Sequence, residues 1–319
     1  MKILVTGAQG CIGAWVVRGL LRRGLDVLIY DLDPNPARLS LITEETERKN
    51  LSIRTGVIED TAAVKSIIKD EGVTHIIHLA AVLMPFCQAN PVRGGLINII
   101  GTLNVFEGAR DSGRDVRVVY ASSSAVWGPE DAYEARALSE ADPTKPSTHY
   151  GVFKNANEGN ARAFYLANQI SSAGLRPWTV YGVGRDVGLT AAPTTAMKHI
   201  VQGKPYQIPL SGFMDLQYVE DVAETFIRCA LSDVAGAHVF NLAGDVIEME
   251  ELARTLAHIR PSAANLITTG GPRVPVAYRM DDAALRAAIP GIPKTPLEDG
   301  MRRTIELYER LHAEGRLND

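Results

Sequence analysis

The start of the chain constrains it most. A short apolar run, Lys2–Thr6, passes directly into Gly7-Ala8-Gln9-Gly10-Cys11-Ile12-Gly13, and a helical pattern over Ile12–Arg23 follows. The spacing is G-x-x-G-x-x-G, one residue longer in its first gap than G-x-G-x-x-G. Glycine lets the chain turn tightly and brings backbone N–H groups close to a ligand. A helix N-terminus adds partial positive charge. Standing alone, such a motif is also compatible with a plain strand–helix turn. At the first strand of a βαβ unit it reads as a cradle for a dinucleotide pyrophosphate. Gly7, Gln9, Gly10, Cys11, Ile12 and Gly13 are therefore candidate cofactor contacts.

The rest of the first half supplies that setting. Apolar runs at Asp26–Tyr30, Leu51–Arg54, Thr74–Leu79 and Val116–Ala121 alternate with helical patterns at Thr61–Asp70, Leu96–Asp111 and His149–Asn168. Unalternating apolar strands between helices predict a parallel sheet covered on both faces. Beyond residue 180 glycine and proline become frequent and the elements shorten, with a strand at His238–Leu242 and helices at Asp221–Leu231, Glu248–Ile259 and Pro296–Ala313. The expected fold class is α/β, a doubly wound parallel Rossmann sheet with a smaller C-terminal α/β substrate region. The expected division is a dinucleotide-binding domain over 1–180, with 213–243 returning to it, and a mainly substrate-binding region over 181–319. Ligands of such sheets bind beyond the C-terminal strand ends.

Composition narrows the class. The 319 residues carry 33 Lys plus Arg and 37 Asp plus Glu, a formal charge of −4 without a basic cluster, which argues against a nucleic-acid partner. Three separated cysteines, Cys11, Cys87 and Cys229, make neither a zinc motif nor a disulfide framework, so no metal is expected. The absence of a leader-like or 18-residue apolar segment gives the expectation of a cytoplasmic protein with no membrane association.

Chemistry is expected after the strands. The second strand ends at Asp31, 24 residues after Gly7. A carboxylate there accepts hydrogen bonds from ribose hydroxyls and repels a 2′-phosphate, which favours NAD over NADP. Tyr150 and Lys154 form Y-x-x-x-K on one helix face. A tyrosine of ordinary pKa near 10 is a poor base at neutral pH, and a neighbouring ammonium is expected to lower it. Ser122-Ser123-Ser124 directly follows the fifth strand.

Taken jointly, these segments resemble the extended short-chain dehydrogenase/reductases, the NAD-dependent epimerase/dehydratase family with its UDP-galactose epimerase-like enzymes. The resemblance rests on the glycine motif, Asp31, His78-Leu79-Ala80-Ala81, Asn98-x-x-Gly101-Thr102, Ser122 to Gly128, Tyr150-x-x-x-Lys154 and Arg176 to Gly182, in the family's order over nearly the whole chain. It implies NAD as cofactor, with Ser123 at the catalytic hydroxyl position and Ser124 beside it. Tyr150 would be the acid/base, and Lys154 the lysine that tunes it and holds the nicotinamide ribose. Leu79, Ala80 and Ala81 would line the cofactor, and Asn98 would stand beside the active-site network. It also implies a homodimer through the helices at Leu96–Asp111 and His149–Asn168.

Three departures bear on the ligands. Gly56-Val57 stands where the family has Gly-Asp, which shifts adenine recognition to backbone groups near Ile58. Thr179 replaces an asparagine, and Met214 replaces an arginine that grips a substrate diphosphate. Methionine cannot pair with a phosphate. The expected substrate is a carbohydrate-like small molecule, a free sugar, sugar acid or polyol rather than a nucleotide-diphosphate sugar, held by Met84, Ser123, Ser124, Tyr150, Thr179 and Arg185. Arg185 or Arg273 could replace the lost grip, which keeps a nucleotide-sugar 4-epimerase as the alternative. A non-catalytic NAD-sensing scaffold is the alternative of another class. The expected reaction is hydride transfer at a hydroxyl-bearing carbon. Release of the ketone would make the enzyme a dehydrogenase, and return of the hydride to its other face an epimerase.

Overall fold

The computed structural model describes residues 1–49 and 51–317. Its twelve strands are β1 (Lys2–Thr6), β2 (Asp26–Asp31), β3 (Ser52–Thr55), β4 (His75–His78), β5 (Arg117–Ala121), β6 (Ser172–Arg176), β7 (Thr179–Tyr181), β8 (Tyr206–Ile208), β9 (Phe213–Tyr218), β10 (Ala237–Asn241), β11 (Asp245–Glu248) and β12 (Ile267–Thr269). Seven form one parallel sheet in the order β10-β6-β5-β4-β1-β2-β3. The chain order reverses between β1 and β4, and the crevice of a doubly wound sheet opens there.

The side-chain pattern explains the two-sided burial. Ile3 and Val5 of β1 enter one core, and Leu4 between them enters the other. In β4 and β5, Ile77 and Val119 face the first core, whereas Ile76, Val118 and Tyr120 face the second. Helices Cys11–Arg22 and Val219–Leu231 cover the first face. Helices Thr61–Asp70, Gly101–Asp111 and His149–Asn168 cover the second. Each fully buried Val, Leu or Ile side chain contributes about 1.5–3 kcal/mol.

The α/β doubly wound expectation agrees with the structure, and the main elements shift only at their ends. β6 has no counterpart among the expected strands, because Ser-Ala-Gly-Leu-Arg offers one large apolar residue. The expected helix Leu96–Asp111 begins instead as a π-helical turn, Leu96–Ile100, preceded by short helices Met84–Ala89 and Pro91–Gly95, each with proline in its first turn. The extra residue of a π turn re-aims side chains, and Asn98 points inward, 1% exposed.

β10 pairs with β6 at the edge of the large sheet, so segment 237–241 returns to it. β11-β9-β7 and β12-β8 form two smaller sheets. A third apolar cluster, Val126, Trp127, Leu138, Val276, Ala277 and Met280, lies between the serine turn and the C-terminal part. Among the described residues no helix is long and apolar enough to cross a membrane.

Candidate active site

The glycine turn packs so closely that side chains are excluded. Gly7 has φ +69°, and a Cβ on it would lie 2.5 Å from the Ala80 nitrogen. A Cβ on Gly13 would lie 2.3 Å from the Gly7 carbonyl oxygen. Gly10 caps helix Cys11–Arg22 without a side-chain hydrogen bond. The first-turn N–H groups are thus left for an external acceptor. Both polar atoms of the Gln9 amide are buried without a partner. Asp31 stands at the adjacent strand end, where its Oδ2 accepts the Gln9 N–H at 2.8 Å and its Oδ1 the Asp33 N–H at 3.1 Å. A carboxylate has about four lone-pair sites, so acceptor capacity remains. An anion cradle next to a free acceptor fits NAD.

The surrounding wall is braced from β1. The Leu79 N–H donates to the Thr6 carbonyl at 3.0 Å and the Ala80 N–H to the Thr6 hydroxyl at 3.4 Å. Ala81 follows, half-buried. Burial pushes the Cys11 thiol up to about 12, so this cysteine stays protonated and unreactive. The Ile58 carbonyl accepts from Asn104 Nδ2 at 3.0 Å, so that atom is already engaged. Arg38 bridges the glycine turn and the loop after β7. Its Nη1 donates to the Gln9 carbonyl at 2.8 Å, and its Nη2 meets Asp186 Oδ1 at 2.7 Å.

Ser123, Ser124, Tyr150, Thr179, Arg185 and Met84 line a single cleft beyond the strand ends. Thr148 caps helix His149–Asn168 by accepting the Gly151 N–H at 3.1 Å, which sets Tyr150 in the first turn. The Ser123 hydroxyl accepts the Ala125 N–H at 3.1 Å and lines the same cleft as the Tyr150 side chain. Lys154 lies one turn further, 4% exposed. Its Nζ donates to the Ala121 carbonyl at 2.6 Å and sits 5.6 Å from the Tyr150 ring centre.

The electrostatics differ from the sequence expectation. Burial pulls the Lys154 ammonium down to about 8. Burial pushes the Tyr150 phenol above its ordinary value, against the opposing pull of the Ser123 hydrogen bond and the Arg185 charge. Lys154 is not among the charges that act on the phenol in the ligand-free protein, so the expected lowering by the ammonium does not appear there.

Arg185 is half-buried, with Nη2 donating to the Thr190 hydroxyl at 2.9 Å and Nε buried without a partner. The Thr179 hydroxyl is also buried and unpaired. Met214 is 0% exposed and belongs to the main core. Asn98 stands apart from the cleft surface. Its Nδ2 donates to the Gly94 carbonyl at 3.0 Å, the Val82 carbonyl at 3.2 Å and Cys87 Sγ at 3.3 Å, so it braces the wall from behind.

Sequence reasoning missed several neighbours. Trp178, Val274 and Val276 wall the cleft, but apolar residues separated by about a hundred positions carry no shared pattern. Glu158 was not singled out from the sequence, and it forms a buried ion pair with Arg176. Its signal was the continuation of the Tyr150, Lys154 stripe by another four residues. Among the described residues no cluster of three or more His, Cys, Asp or Glu could hold a metal ion.

The chain is 31% identical over 239 residues, 70% of its own length, to UDP-glucuronate 4-epimerase 5 of Arabidopsis thaliana. It spans about half the length, 52%, of that relative. It is 25% identical over 97% of its length, and 98% of the other, to UDP-glucose 4-epimerase of Mycolicibacterium smegmatis. Among solved structures, MoeE5 in complex with UDP-glucuronic acid and NAD matches with a TM-score of 0.82 at 25% identity, covering 97% of this chain and 99% of that one. The model of the NAD dependent epimerase/dehydratase family matches residues 3–243. With a glycine cradle, Asp31 at the adjacent strand end, and Ser123 and Tyr150 in one cleft, the chain belongs to the NAD-dependent epimerase/dehydratase family of extended short-chain dehydrogenases/reductases, an enzyme family whose cofactor is NAD.

Proposed function

We propose that the chain oxidises a hydroxyl-bearing carbon of a sugar-like substrate that carries one acidic group, as a dehydrogenase or an epimerase. The observation that carries this reading is the pair of buried, unpaired polar atoms, Arg185 Nε and Thr179 Oγ1, in the same cleft as Ser123 and Tyr150. Buried polar groups without partners are costly. A carboxylate would satisfy both, and a neutral sugar would leave the guanidinium unmatched.

Bound NAD supplies the hydride acceptor. Gly7, Gln9, Gly10, Cys11, Ile12 and Gly13 would hold its pyrophosphate, Asp31 its ribose, and Leu79, Ala80 and Ala81 its flank, with Ile58 near the adenine end. Ser123 positions the substrate oxygen by hydrogen bonding, and Tyr150 takes the hydroxyl proton. Lys154, charged below about pH 8, favours the phenolate at that moment. Ser124, Thr179, Arg185 and Met84 orient the substrate.

Uronic-acid-linked relatives support an acidic substrate. They also support a second reading, a nucleotide-sugar 4-epimerase whose diphosphate is held without the Met214 position. Incubation with NAD and matched pairs (glucuronate against glucose, UDP-glucuronate against UDP-glucose) separates these. Turnover of the acid member of a pair, read as NADH or as the product isomer, supports the proposal. Equal turnover of the neutral member overturns it, and the active pair decides whether a nucleotide belongs to the substrate. Accumulating NADH marks a dehydrogenase, and isomerisation without it an epimerase.

We also propose a homodimer. Val92, Leu96 and Ile100 are 79%, 42% and 37% exposed at four-residue spacing, beside the neighbouring helix with Val152 at 47%. An exposed apolar stripe of this kind marks an interaction surface, and a second copy of the chain would cover it through the same helices.

A further inference from the structure

Two residues one turn apart on helix His149–Asn168 engage consecutive residues at the end of β5. Lys154 donates to the Ala121 carbonyl at 2.6 Å. The Ser122 hydroxyl donates to Glu158 Oε1. Ser123, the next residue, lines the same cleft as Tyr150, one turn before Lys154 on that helix. On the other side, the Ser124 N–H donates to the Pro177 carbonyl at 3.0 Å.

Arg176, next to Pro177, closes the frame. Its Nε and Nη2 meet the two Glu158 oxygens at 2.8 and 2.7 Å. Its Nη1 reaches Asn241 Oδ1 at 3.4 Å, and its guanidinium lies 4.6 Å over the Trp127 ring. Ser122, Glu158, Arg176 and Asn241 are 1%, 9%, 3% and 0% exposed.

We propose that Glu158 and Arg176 are positioning residues that fix Ser123 relative to Tyr150 in the cleft they share. A buried ion pair is weak grounds for stability, since apolar replacements of similar volume are often as stable or more so. What this pair does here is geometric. One partner anchors the residue before Ser123, the other belongs to the strand segment that anchors the residue after it, and the two are locked by a bidentate contact. Ser123 therefore has little freedom to move relative to Tyr150, and displacements of about 1 Å can cost ~10²-fold in rate. The inference rests on the reading of Ser123 and Tyr150 as the reacting pair.

The test needs no substrate. Tyr150 is faced by Ser123 after β5, Lys154 on its own helix, Arg185 from the loop after β7, and Cys87 from helix Met84–Ala89. With ¹³Cζ-tyrosine labelling, the Tyr150 resonance is the one lost in Tyr150→Phe, and its pH midpoint is measured by NMR. Ser123→Ala should raise that midpoint by roughly 0.5–1 pH unit, the equivalent of one ordinary hydrogen bond. The double variant Glu158→Leu/Arg176→Met leaves no unpaired buried charge and should raise it similarly while unfolding at a denaturant midpoint close to wild type. A folded double variant with an unmoved Tyr150 midpoint overturns the proposal. If that variant does not fold, Arg176→Lys, which keeps the charge and loses the bidentate fork, is read in the same way. Activity of Tyr150→Phe tests the proposed function instead, so the two can fail separately.

Discussion

Lys154 is held where a charge is costly. Its folded value of about 8 lies below its ordinary 10.5. Between those values the unfolded chain binds a proton that the folded chain lacks, so this group makes stability rise with pH there. Below about pH 8 the full cost is present. Lys154→Met should therefore stabilise the ligand-free fold at pH 7 by roughly 1–3 kcal/mol, and the gain should vanish near pH 10.5. Urea unfolding of both proteins at the two pH values checks this, and an equal gain at both contradicts it. Arg185 carries the second residue-scale prediction. Arg185→Leu should lower kcat/KM for the acidic substrate about 10- to 100-fold, the worth of a charged hydrogen bond, and leave a neutral analogue unaffected. Steady-state kinetics on both substrates decides it.

The contact between the serine turn and helix His149–Asn168 is set by a missing side chain. A Cβ on Gly151 would lie 2.1 Å from the Ala125 carbonyl oxygen. Gly→Ala inside a helix ordinarily stabilises by about 0.5–1 kcal/mol. Gly151→Ala should instead lower the melting temperature, because backbone on the far side cannot give way. A rise in melting temperature would mean that the turn and the helix are not in register. The helix itself was legible in the sequence to its first and last residue, as were β1 and helix Thr61–Asp70, because buried parallel strands read as apolar runs and amphipathic helices keep their period. β6 was hidden because the glycine and alanine that let it pack carry no hydrophobic signal. Tyr150 and Lys154 were legible because their four-residue spacing is local, and Ser123 through the family resemblance. Arg38 with Asp186 was not, since an ion pair closed by tertiary structure leaves no periodicity in either partner's segment, and of Glu158 with Arg176 only the four-residue continuation of the Tyr150, Lys154 stripe shows in the sequence.

At the scale of the molecule, the crevice lies where the seven-stranded order reverses, and the smaller sheets close one side of it with Thr179 and Arg185. The helical layer outside the second core leaves Val92, Leu96 and Ile100 exposed. If a second copy covers that stripe, light scattering at micromolar concentration gives a dimer mass, and Leu96→Arg gives a monomer. A monomeric wild type contradicts the proposed assembly without touching the site. The account turns on Tyr150 as the group that moves the proton. The most direct measurement is the rate of a single turnover by NAD-loaded wild type and Tyr150→Phe on the acidic substrate of the matched pairs, with NAD affinity measured alongside. The prediction is unchanged NAD binding and a rate lower by ~10²–10⁴-fold, the usual contribution of general acid–base catalysis. Equal rates in the two proteins would contradict the account.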